Sequence, residues 1–154
     1  MELPMAPPAP PLPPDLPPAR SPAQSPAQPT AQQRRFRASD VATHLDMVVI
    51  GDICVGVSLD GYRQLLGGFL GDSAVSINRL LAALDAGHHA ELQPLAHAVK
   101  GAAASLGLRA IQALGREAEQ HGVGYDAAQC QALAAQLRDQ VASARALCLR
   151  MGFL

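Results

Sequence analysis

Apolar residues recur at helical spacing through the second half of the chain. Leu66, Phe69, Leu70, Ile77, Leu80, Leu81 and Leu84 follow the three-and-four stagger that turns one face of a helix toward a core. The spacing predicts a long helix opened by Ser58 or Asp60 and closed by the turn Ala86-Gly87-His88. A second helix is predicted from about Ala90 to Leu106, and a third from Leu108 to Gln120 with Leu108, Ile111, Leu114 and Ala118 inward. After the Gly122-Val123-Gly124 turn, a fourth runs from about Asp126 to Leu149 with Cys130, Leu133, Leu137, Val141, Ala144 and Cys148 inward. Four long helices joined by short turns imply an all-α fold, an antiparallel four-helix bundle.

The pattern upstream is less uniform. Ser39 or Asp40 is placed to cap a helix through Leu45 toward Ile50 or Ile53, yet Met47-Val48-Val49-Ile50 and Ile53-Cys54-Val55 are rich in β-branched residues that locally favour a strand. A single short strand would have nothing to pair with, so a short additional N-terminal helix is expected, broken near Gly56 and Val57 and capping one end of the bundle. The folded domain is expected to span 38–154. Residues 1–37 differ in kind: all prolines but Pro94 lie there, among alanine, serine and glutamine, with the tandem Ser21-Pro22-Ala23-Gln24 and Ser25-Pro26-Ala27-Gln28. Such a segment cannot bury a core and reads as a disordered, polyproline-like tail or linker. It has neither the basic start nor the apolar run of a signal peptide. The proline spacing from Pro7 to Pro18 reads as a spacer.

Composition narrows the function classes. The 154 residues are 49% hydrophobic and only 3% aromatic, with a formal net charge of −1. Arg34-Arg35-Phe36-Arg37 is short and no basic stripe follows it, which argues against nucleic-acid binding. Cys54, Cys130 and Cys148 are widely separated and odd in number, the usage of small core hydrophobes in a reducing compartment. The apolar run from Met47 to Leu59 is short and interrupted by Asp52, so no membrane insertion is expected and the protein is predicted to be soluble and cytoplasmic. One apolar seam per helix gives no special reason to expect a dimer, and a monomer is the expectation. No nucleotide-binding glycine loop, serine nucleophile motif or site-like carboxylate pair occurs, which disfavours an autonomous kinase.

Chemistry concentrates in His97-Ala98-Val99-Lys100-Gly101-Ala102-Ala103-Ala104-Ser105-Leu106-Gly107, which holds the chain's single lysine. At about 100° per residue, Gln93, Gly101, Ala104 and Leu108 fall within about 40° of His97, and Lys100 lies about 60° to one side. Leu95, Val99, Ala102 and Leu106 lie near the opposite pole, so His97 is predicted to point away from the core. Small neighbours leave the imidazole clear for a docking macromolecule. Neutral imidazole, with an ordinary pKa of about 6.5, is a nucleophile near pH 7. Phosphoryl transfer asks mainly for positioning and for positive charge, which a lysine one turn away can supply. Pro94 is the oddity of this helix: either the regular helix starts nearer Gln93 or it bends before His97. A mid-helix glycine such as Gly101 costs about 1 kcal/mol against alanine and needs a reason, helix contact or room for a partner, and both can hold. Gly107 reads as a helix stop or tight crossing.

The segment from His97 to Gly107 resembles the signature of histidine-containing phosphotransfer (HPt) domains of bacterial multistep phosphorelays, and the wider pattern extends from about Leu45 to the C-terminus. The resemblance implies that His97 is phosphorylated, that Lys100 steadies the phosphoryl group and that Gly101 gives a receiver domain room, with Gln93 and Ala104 on the same docking face. Glu119 falls where family members often carry glutamate or glutamine, and is implied to accept a hydrogen bond from the non-reacting ring nitrogen. The implied partners are receiver domains of response regulators or hybrid sensor kinases. No cofactor is implied on this chain, since magnesium belongs to the receiver's acidic pocket. Two other classes compete. One is a helical interaction module that binds a receiver or kinase without taking phosphate. The other is a metal site made from His88, His89, Glu91 and His121, which is weakened because adjacent helical residues point about 100° apart.

Overall fold

The computed structural model describes residues 38–71 and 74–154; the expected proline-rich tail of residues 1–37 lies outside them. The chain forms α1 (Ala38–His44), α2 (Met47–Leu70), α3 (Val75–Ala86), α4 (His89–Ser105), α5 (Arg109–His121), a 3-10 turn at Gly122–Gly124 and α6 (Ala127–Met151). Helices α3 to α6 form the bundle, with α4 packed between α3 and α5 and α6 closing against both. The inward residues include Leu80, Leu84, Leu92, Val99, Ile111, Leu133, Leu137 and Leu147, each at most 2% exposed. Burial contributes about 1.5–3 kcal/mol for each such aliphatic side chain, so the shared seam outweighs local helix preference. The β-branched run in α2 is helical as well, anchored by the buried Ile50, although Val48 and Val55 of that run stand exposed.

Two expected helices are divided. The first stops at His44, and Asp46 caps α2 instead of lying inside a continuous helix, accepting from the N–H groups of Val48 and Val49 at 3.1 and 3.3 Å. The long helix expected from Ser58 or Asp60 to Leu84 ends at Leu70. Gly67, Gly68 and Gly71 cluster there and weaken helix propensity, and Gly71 turns extended (ψ 168°) before α3 starts at Val75. The break expected near Gly56 and Val57 falls at Ser58, which sits at φ 70°, ψ 164° inside α2. Its hydroxyl accepts from the Gly61 N–H at 3.3 Å and so caps the second segment of α2.

Short turns end the bundle helices with few residues. Gly87 closes α3 in the left-handed conformation, and Asp126 opens α6 with a capping box completed by Gln129. The turn from α4 to α5 is the most heavily tied. Gly107 adopts φ 72°, and the Leu108 N–H donates to Ala103 O at 2.8 Å, a left-handed helix stop. A Cβ on Gly107 would lie 2.9 Å from both Asp46 O and Ile50 Cγ1, so the tight-crossing reading also holds. Asp46 N–H donates to Gly107 O at 2.7 Å, the buried Tyr62 hydroxyl donates to Leu106 O at 3.0 Å, and Arg109 donates through Nε and NH2 to Asp46. The Asp46 junction before α2 and Tyr62 within α2 thereby clamp the hairpin that carries the candidate site.

Candidate functional site

The site lies on the solvent face of the α4–α5 hairpin. Helix α4 begins at His89, before Pro94, and continues through the proline; the lost N–H removes only one hydrogen bond near the first turns. The buried stripe of α4 is Leu92, Ala96, Val99 and Ala103, with Leu95 and Ala102 half-buried. The seam is rotated about 50° from the expected one, toward the Lys100 side. Alanines can face either way, and here the close approach of α5 buries them. His97 remains outward, its side chain 70% exposed.

That close approach is made by Gly115. A Cβ there would stand 2.9 Å from Lys100 N and 3.0 Å from Lys100 Cα, so glycine lets the α5 backbone lie directly on α4. One turn further along α5, Glu119 then meets both functional side chains. His97 Nδ1 lies 2.7 Å from Glu119 Oε1, and Lys100 Nζ donates to Glu119 Oε2 at 2.5 Å. Glu119 and Lys100 are largely covered, at 18% and 27% exposure. The Lys100 hydrogen bond, and after it the His97 hydrogen bond, hold the Glu119 carboxyl below its ordinary value. A carboxylate can only accept, so the ring nitrogen facing it carries the proton. In the neutral ring, Nε2 then keeps its lone pair.

Of the residues proposed from sequence, His97, Lys100 and Glu119 converge. Gln93 and Gly101 are exposed and Ala104 is half-buried on the same helix. Nothing lies within 4 Å of a Cβ placed on Gly101, which removes the helix-contact explanation and leaves open space beside His97. The helix-contact glycine is Gly115, which sequence reasoning passed over although a mid-helix glycine in an amphipathic stretch was a visible signal. On the other flank of α4, Ile53, Leu65, Gly68, Phe69, Ala102, Ser105 and Leu106 line an apolar groove of about 490 Å³. His88, Glu91 and His121 are exposed, and His89 Nδ1 lies 3.2 Å from Gly122 O. Among the described residues no three His, Cys, Asp or Glu side chains gather as a metal site, and no helix is long and apolar enough to cross a membrane.

A family model, described as Hpt domain, matches residues 64–147, a stretch that holds His97, Lys100, Gly115 and Glu119. No curated protein and no solved structure matches the chain. With more than half of its length inside the family match, on a helical bundle that presents an outward histidine, the chain belongs to the Hpt domain family of histidine phosphotransfer modules in phosphorelays.

Proposed function

We propose that this protein is a phosphorelay intermediate that takes a phosphoryl group on His97 from the aspartate of one receiver domain and passes it to another. The observation that carries this reading is the bridging of His97 Nδ1 and Lys100 Nζ by a single carboxylate, Glu119, beneath an exposed ring. The Nε2 lone pair attacks phosphorus, the N–P bond forms as the P–O bond of the donor's acyl phosphate breaks, and the donor carboxylate leaves with the bonding pair. The Nδ1 proton stays on the ring, its hydrogen bond accepted by Glu119, which holds the ring in one orientation through the transfer. Lys100 supplies charge to the phosphoryl oxygens. Onward transfer runs the same steps in reverse on a second receiver aspartate.

The partners in this reading are receiver domains of response regulators or hybrid sensor kinases, and the protein works as a cytoplasmic monomer without a cofactor of its own. Magnesium sits in the receiver's acidic pocket. The small residues Gly101 and Ala104, with Gln93, form the approach to His97, and the apolar groove between α2 and α4 extends that surface. The test is incubation with a phosphorylated receiver domain. Acid-labile label should appear on the wild type and not on His97→Gln. Label retained by that variant refutes the assignment of His97, and a folded wild type that binds the receiver without taking label establishes the interaction module instead.

A further inference from the structure

Phosphoryl group and carboxylate compete here for one ammonium. Lys100 Nζ is held 2.5 Å from Glu119 Oε2, while the other oxygen of the same carboxylate is 2.7 Å from His97 Nδ1. The pair is largely covered, whereas the imidazole is 70% exposed. The cation is therefore engaged on α5 before any phosphoryl group arrives. An ammonium has three hydrogens and can give one to a phosphoryl oxygen without leaving Glu119, but its charge is then divided between two anions.

We infer that Glu119 keeps the phosphorylated state of His97 shallow: by sharing Lys100 it weakens the hold on the phosphoryl group, so the group is passed on rather than stored. This rests on the reading of His97 as the phosphoacceptor. Glu119 acts here as a positioning residue through Lys100. No bond change is added to the transfer: the N–P bond at Nε2 still forms as the donor's P–O bond breaks, and only the relative stability of the two phosphorylated partners shifts. Glutamine at 119 separates the two duties of the side chain. Its carbonyl still accepts from Nδ1–H, so the ring keeps its orientation, but it carries no charge with which to hold the ammonium.

The experiment charges the full chain with phosphoramidate, mixes it with a receiver domain and measures both phosphorylated species at equilibrium. In Glu119→Gln the equilibrium constant should move about three- to tenfold toward phosphohistidine. Glu119→Ala should move it in the same direction even if the ring, now without a partner, reacts more slowly. An unchanged or reduced phosphohistidine share in variants that retain helical circular dichroism overturns the inference. Lys100→Ala should remove most of the gain when combined with Glu119→Gln; a double variant keeping the whole gain overturns the route through Lys100. A folded wild type that takes no label refutes the phosphoacceptor reading and this inference with it, an outcome distinct from a labelled wild type whose equilibrium Glu119→Gln leaves unmoved.

Discussion

Gly115→Ala places one methyl group between the two helices of the site. The added Cβ would stand 2.9 Å from Lys100 N, 3.0 Å from Lys100 Cα and 3.1 Å from Lys100 Cβ, against ordinary carbon contacts of about 3.5–4.0 Å. Two of these atoms are backbone and cannot turn aside, so α5 must retreat by about 0.6–1 Å. Overpacking of this kind costs about 1–3 kcal/mol, and alanine in a helix interior returns about 1 kcal/mol, leaving a net loss of about 0–2 kcal/mol. The site is affected more. Glu119 lies one turn further along α5, and the same retreat stretches its 2.7 Å contact with His97 to about 3.4 Å, past good hydrogen-bond geometry. Misplacement on this scale slows transfer by about ten- to a hundredfold. Urea unfolding measures the first quantity, and the rate of labelling by phosphoramidate or a phosphorylated receiver the second. A variant stabilised by the full helix-propensity gain and labelled at the wild-type rate would refute the reasoning, because α5 would then have room that the structure denies it.

Gly101→Ala is the counterpart, since nothing stands within 4 Å of the new methyl group: urea unfolding should show a gain of about 1 kcal/mol, with labelling by phosphoramidate retained and transfer from a receiver slowed. Ser58→Gly should raise the melting temperature by about 3–6 °C, because a non-glycine residue at φ 70° and ψ 164° carries about 1–3 kcal/mol of strain and the lost cap costs only a few tenths; an unchanged or lower midpoint counts against that strain. Tyr62→Phe removes the buried donor to Leu106 O and should cost about 1–2 kcal/mol in urea unfolding, with no loss expected only if the α4–α5 turn is held without it. Arg109, and then the Val49 N–H, lower the Asp46 pKa as Lys100 and His97 lower that of Glu119. A folded-state pKa below the unfolded one gives stability that is present above the ordinary carboxyl range and lost as pH falls through the lowered value. The urea midpoint should therefore decline below about pH 4.5, and the decline should be shallower in an Asp46→Asn, Glu119→Gln double variant.

What the sequence by itself determined follows from local periodicity. The three-and-four stagger places the core-facing residues of α3, α5 and α6, with Leu80, Leu84, Ile111, Leu133 and Leu137 all buried, because a residue's direction around a helix depends only on its position along it. The outward direction of His97 and the flanking position of Lys100 come from the same rule. Alanines mark its limit: on α4 they satisfy either face, and the real seam lies about half a residue's rotation from the expected one. Breaks governed by distant contacts were also out of reach. Asp46 starts a new helix while its N–H and carboxylate are held by Gly107 and Arg109, more than sixty residues away.

The tertiary structure decided which glycine does what. Gly101 and Gly115 look alike as interruptions of a helical pattern, but only Gly115 has another backbone against it. It also decided the state of Lys100, which composition offers only as the single lysine and the fold seats on Glu119. Periodicity fixes where a side chain points, but the atom at its far end belongs to another helix, and only packing brings that helix to hydrogen-bond distance.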